Sequence, residues 1–216
     1  MSELLSIVVA TSNEGKLNEL RRLLGNLPVQ LLSATSVLGE PFQVNEDGFT
    51  FESNAVKKAK AACAATGLYA LADDSGLEVE ALGGRPGVRS ARFAHERATD
   101  AENNAALLRE LEQVDEGARS ARFRCVLSLV DPWHESDVHV AEGSCEGSIA
   151  RAPRGSRGFG YDPLFLVSGQ GGKAMAELSE AEKNQVSHRG RAVQALRSVL
   201  FELINARLDE AERIAG

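Results

Sequence analysis

Two periods of apolar and polar residues alternate along this chain, and each change of period marks an element. Leu4–Thr11 (LLSIVVAT) is a short, β-branched apolar run, the pattern of a buried strand. Leu17, Leu20, Leu24 and Leu27 then recur at helical spacing, and Ser12 or Asn13 stands where that helix needs a cap. Asp47-Gly48 reads as a turn. The alanine-rich run from Ser53 favours helix, and Gly67 is placed to end it. LYALADD and GLEVEAL read as two strands joined near Ser75-Gly76. A glycine-rich loop, GGRPGVRSARFA, follows. Ala121, Phe123, Cys125, Leu127 and Leu129 share one face of a further strand, and DVHVAEGSCEGSIA is its expected partner. PRGSRGFGYDPLFLV is a basic, glycine-rich loop running into another strand. Thr99 with Glu102 and Ser179 with Glu182 form capping boxes that open two more helices. A long last helix carries Val193, Leu196, Val199, Leu200, Leu203 and Ile204. Strands and helices are interspersed, so the class is α/β, with antiparallel pairing in the middle.

Composition narrows the picture. The 216 residues suit one large domain, expected over 1–206, with 207–216 as a C-terminal tail. A net charge of -7 disfavours general nucleic-acid binding, which calls for a basic surplus. It leaves room for a small anion in a local basic pocket. No stretch reaches the roughly 20 apolar residues of a membrane span. Glu3 stands where a signal peptide carries positive charge. The expected setting is cytoplasmic, with no membrane partner. Cys63, Cys125 and Cys145 are odd in number and widely spaced, which argues against a disulfide framework or a zinc site.

The candidate chemistry lies in the loops. TSNEGK (Thr11, Ser12, Asn13, Glu14, Gly15, Lys16) joins a strand end to a helix N-terminus, a place that suits phosphate. It is not a Walker loop, and a plain helix cap with a solvated lysine is the competing reading. Glu46, Asp47, Asp73 and Asp74 offer hard oxygen ligands for Mg²⁺. Neighbours on an extended strand point to opposite faces, so Asp73 and Asp74 do not both meet one ion, and one of them has a structural or orienting role. Phe159 and Tyr161 in RGFGYD could offer an aromatic face to a base, or simply be core. The many lysines and arginines, added to a phosphate loop and metal carboxylates, suggest a nucleotide or phosphoester site.

Five stretches make the reading specific: ATSNEGKLNEL, EDGFTFESNAVKKA, ADDSGLEVEALGGRPGVRSARF, GFGYDPLF and EKNQVSHRGRA. In this order, over about Ala10 to Ala192, they resemble the inosine triphosphate pyrophosphatase family. The resemblance implies an elongated mixed β-sheet flanked by helices, two lobes with an active-site cleft between them, and a homodimer. It implies Mg²⁺-dependent hydrolysis of ITP, dITP and XTP to monophosphate and pyrophosphate, with ATP and GTP poor substrates. Carried onto this chain, the phosphate loop falls on Thr11 to Lys16. The metal carboxylates are Glu46 and Asp74. Asp74 is the general base, Ser75 contacts substrate, and Lys16 and Lys58 are catalytic lysines. The base pocket falls on Phe159, Gly160, Tyr161, Asp162, Lys183, His188 and Arg189. In this picture Asp73 supports the turn beside Asp74. A 6-oxo purine accepts hydrogen bonds where adenine donates, so His188, Arg189 and backbone N–H groups near Phe159 are the expected donors. One departure stands out: the family's usual Glu before Asn54 is Ser53 here, and Glu52 lies one place earlier.

Overall fold

The computed structural model describes residues 4–134 and 136–215, so Glu3 lies outside it. The chain forms β1 (Leu5–Val9), α1 (Glu14–Leu24), β2 (Val29–Ser33), α2 (Ala34–Leu38), α3 (Phe51–Thr66) and β3 (Tyr69–Val79). Short 3₁₀ turns at Glu80–Leu82 and Gly87–Arg92 lead to α4 (Asp100–Glu110), β4 (Ser120–Val130), β5 (Val138–Ile149) and β6 (Phe165–Val167). Helices α5 (Glu180–Val186) and α6 (His188–Ala215) complete it. The six strands form one mixed sheet in the order β2-β1-β3-β4-β5-β6. The stretch expected as a tail is thus helical up to Ala215.

The chain divides into two compact units. The first comprises Met1–Asp73, Val126–Glu142 and Ala192–Gly216. Here β1 pairs in parallel with β2, Leu5 opposite Val29, and with β3, Ile7 opposite Tyr69. Ile7, Val8 and Val9 are fully buried, which is why this strand is apolar without alternation. Helix α3 buries Phe51, Asn54, Ala55, Lys58, Ala59, Ala62 and Cys63. Its alanines share a core with Val8, Ala70 and Ala72. Lys58 and Asn54 are polar residues on that buried stripe.

The second unit comprises Asp74–Cys125 and Gly143–Arg191. Its core includes Leu77, Leu107, Phe123, Ile149, Phe165 and Met175. β5 and β6 pair antiparallel, Ile149 opposite Phe165. Arg119 is 2% exposed and donates to the carbonyls of Leu111, Val114, Ile149 and Ala150, a guanidinium held entirely by backbone. Burial lowers its pKa from the ordinary value.

The capping boxes at Thr99 and Ser179 form as expected, and Asn13 caps α1. The break expected at Ser75-Gly76 does not form. β3 runs unbroken from Tyr69 to Val79, and Gly76 does not take a positive φ. The strand continues through these residues despite their local turn signal. Asp73 and Asp74 therefore sit in mid-strand, and the chain passes from one unit to the other at their peptide bond.

Candidate active site

The first unit gathers two lysines on one aspartate. Lys16, in the first turn of α1, forms an ion pair with the Asp73 carboxylate, whose side chain is fully buried. Lys58 Nζ, from the buried stripe of α3, donates to the Asp73 main-chain oxygen at 2.7 Å and to Glu46 Oε1 at 2.6 Å. Asp73 thus orients both cations, one by side chain and one by backbone. This replaces the expected role of supporting a turn, because there is no turn to support. Lys16 is not the solvated lysine of the competing reading: its side chain is 17% exposed and paired. The adjacent acids and lysines sort by depth. Glu46 meets the nearly buried Lys58, while Asp47 and Lys57 pair at 2.6 Å in the open.

Around them the loop TSNEGK is both cap and helix N-terminus. Thr11 Oγ1 accepts from the Asn13 amide, and Asn13 Oδ1 accepts from the Lys16 amide at 3.1 Å. Ser12, Asn13 and Glu14 are exposed at the positive end of an eleven-residue helix, and Gly15 is half-buried. Gly48 packs against the start of α3: its amide donates to Asn54 Oδ1 at 2.8 Å, and a Cβ there would lie 2.3 Å from Ser53 Oγ. Ser53 takes the capping-box position. Its backbone N–H donates to Thr50 Oγ1 at 3.1 Å, and its hydroxyl accepts from the Thr50 amide at 3.3 Å. A serine thus does the capping that a glutamate performs in a box of the usual kind.

The second unit holds Asp74 and the aromatic loop. Asp74 is 5% exposed, and its Oδ1 accepts the Ser75 amide at 3.1 Å. Ser75 Oγ accepts from Arg189 Nη2 at 3.0 Å. The Arg189 guanidinium lies 5.8 Å from the centre of the Phe159 ring, and Lys183 Nζ lies 5.0 Å from it. Lys183 also pairs with Asp162 Oδ2 at 2.6 Å, an oxygen that accepts from the Phe159 amide as well. Gly158 has φ +76, and a Cβ there would strike that same oxygen at 2.0 Å. His188 is buried, with its ring stacked on Phe123 at 4.7 Å.

The two aromatics expected to face a base differ. Phe159 is half-buried beside the two cations, whereas Tyr161 is turned into the core. The Tyr161 hydroxyl donates to Ser90 O at 2.8 Å, and burial, with the Asp100 carboxylate second, raises its pKa. Tyr161 therefore anchors the loop, because a buried phenol needs its acceptor. The backbone donors expected near Phe159 are also engaged: its own amide on Asp162, and that of Gly160 on Asp100 at 2.7 Å. Ser90 escaped the sequence reading. Its hydroxyl accepts from the Leu77 amide at 2.9 Å, so it ties β3, just past Ser75, to the anchor of Tyr161.

Among the described residues no group of three or more His, Cys, Asp or Glu forms a metal cluster. Mg²⁺ typically takes one or two carboxylates and fills its other positions with water and substrate phosphate. Glu46 and Asp74 are hard, anionic oxygen donors of that kind, so their chemistry fits such an ion.

A family model described as the Ham1 family matches residues 7–199. A dITP/XTP pyrophosphatase from Geobacter sulfurreducens is 52% identical over 194 residues, covering 90% of this chain and 96% of that protein. One from Desulforamulus reducens is 50% identical over 199 residues, covering 92% and 97%. Among solved structures, a HAM1 protein from Coxiella burnetii matches with a TM-score of 0.82 at 45% identity, covering 92% of this chain and 100% of that one. A nucleoside-triphosphatase, dITP/XTP pyrophosphatase, from Mycobacterium abscessus gives 0.71 at 47%, covering 88% and 98%. Together with the motifs, these place the chain: it belongs to the Ham1 family.

Proposed function

We propose that this protein hydrolyses the triphosphates of non-standard purines (ITP, dITP and XTP) to the monophosphate and pyrophosphate. One observation carries the reading: two lysines are fastened to Asp73, and the next residue in the chain is Asp74. Relatives near 50% identity bear the name of this activity.

In the proposed division of labour, the first unit's set takes the triphosphate and the second unit's set takes the base. Lys16 and Lys58 neutralise charge on the phosphate oxygens, and the TSNEGK amides and hydroxyls add donors. Asp74 orients the attacking water and accepts its proton. Glu46 and Asp74 are the residues that would hold Mg²⁺. When bound, that ion masks phosphate charge and makes water a better nucleophile, which an ordinary aspartate of pKa ~3.9 does weakly alone. Phe159 stacks on the base. With the nearby backbone amides engaged, Arg189 and His188 are the side-chain donors that select a 6-oxo purine over adenine. Ser75 positions Arg189.

We also propose a cytoplasmic homodimer. All three cysteines are buried, and no helix among the described residues is long and apolar enough to cross a membrane. Light scattering of the purified protein tests the dimer.

The activity is tested by resolving products from ITP, dITP, XTP, ATP, GTP and dUTP with Mg²⁺ and with EDTA. Pyrophosphate and monophosphate from ITP, dITP and XTP, lost with EDTA, is the expected result. Preferred turnover of dUTP would overturn the base assignment, and no turnover at all would leave a nucleotide-binding protein.

A further inference from the structure

We infer that Asp100 and Asn104 are positioning residues for base recognition: from one face of α4 they hold the N–H and the C=O of Gly160 and so fix the Phe159 ring. The inference rests on the base loop proposed above.

The loop needs such a hold. Gly158 and Gly160 flank Phe159, and both take positive φ, +76 and +62. Glycines in that region leave the chain many alternatives, and an unordered loop would pay its ordering cost each time a base bound. Four ties remove that freedom. The Phe159 amide donates to Asp162, and the Tyr161 hydroxyl donates to Ser90 O. The other two come from α4. Asp100 Oδ2 accepts from Gly160 N at 2.7 Å, and Asn104 Nδ2 donates to Gly160 O at 2.9 Å. Residues four apart on a helix share a face. The Thr99–Glu102 capping box fixes the turn of α4 from which Asp100 projects. The two peptide planes that meet at Gly160 are therefore each tied to one rigid helix, and neither rotates without breaking its bond.

The neighbouring Asn103 provides the contrast. It is 3% exposed, donates to Ala91 O at 3.0 Å and accepts from the Ala94 amide at 2.9 Å. It ties α4 to the Ala91–Ala94 segment, so it serves as the structural control.

The test compares Asp100→Ala, Asp100→Asn, Asn104→Ala and Asn103→Ala, alone and on a Phe159→Ala background. The readouts are KM and kcat for ITP, the dissociation constant of inosine monophosphate by equilibrium titration, and thermal melting. Asn104→Ala and Asp100→Ala should raise KM and the IMP dissociation constant about tenfold, the size of one hydrogen bond, with kcat within about twofold. Asp100→Asn keeps an acceptor and should stay close to wild type. Asn103→Ala should lower the melting temperature without changing IMP affinity. On the Phe159→Ala background the Asn104 effect on affinity should vanish, because it acts through that ring. Equal damage from Asp100→Asn and Asp100→Ala would mean that helix-end charge matters, not the bond to Gly160. Additive losses with Phe159→Ala, or affinity changes that only follow melting temperature, would also overturn the inference. If wild type fails to turn over ITP, the proposed activity falls, and IMP affinity still decides the role of the loop.

Discussion

The two units solve opposite problems with different materials. In the first, long flexible lysines are held by acids: Lys16 on Asp73, and Lys58 on Glu46 and the Asp73 carbonyl. In the second, the backbone itself is fixed, with Gly158 and Gly160 at positive φ and the intervening peptides tied to Asp162, Asp100 and Asn104. A triphosphate presents charge in many directions, so point charges on adaptable stems suit it. A base is distinguished by where a few donors and acceptors lie, which demands a rigid frame. On the proposed division of labour, the difference teaches that charge recognition tolerates side-chain freedom and base recognition does not.

Four perturbations break or sharpen this contrast, beginning with the largest. Asp73→Ala removes a fully buried carboxylate and leaves Lys16 without its counter-ion. It should cost about 3 kcal/mol of stability, read by urea unfolding, while the bond from Lys58 to the residue 73 carbonyl persists. Phe159→Ala should raise KM for ITP about tenfold and change kcat less, since it removes stacking and leaves the phosphate set intact. Ser53→Ala removes one of the two capping-box bonds of α3, the one from the Thr50 amide, and should cost about 1 kcal/mol in thermal unfolding, and Ser53→Glu should restore it. The smallest effect is acid-dependent. Hydrogen bonds from Ser179, then Lys173, hold Glu182 at about 2 against an ordinary 4.5. A carboxylate lowered on folding contributes stability above its unfolded pKa and loses it as pH falls through the folded value. The stability difference between wild type and Glu182→Gln should therefore be constant above about pH 4.5 and shrink toward pH 2 in acid unfolding.

Much of this was legible in the sequence, for local reasons. The boxes at Thr99–Glu102 and Ser179–Glu182 span four residues each, so their partners are visible close together. Lys58 was reached only through the family resemblance, and the structure sets it on the buried stripe of Ala55, Ala59 and Ala62, where a lysine needs a reason. The continuity of β3 was not legible, because Ser75-Gly76 carries turn chemistry although the strand runs through it. Nor was the choice between Phe159 and Tyr161, since two aromatics in an irregular loop have no period to assign a face. The Gly160 ties to Asp100 and Asn104 cross 60 and 56 residues of chain. Arg119 is held by carbonyls, which every residue possesses, so its partners leave no mark in the sequence.

The central claim is the proposed one, that Asp74, next in the chain after the Asp73 that anchors two lysines, is the general base, and Asp74→Asn tests it most directly. The substitution keeps the shape of a nearly buried side chain and an oxygen for the Ser75 amide. Pyrophosphate release from ITP should fall by about 10²–10⁴, the range of a lost general base, while melting temperature and IMP affinity hold. Full turnover by a folded Asp74→Asn protein would contradict the account.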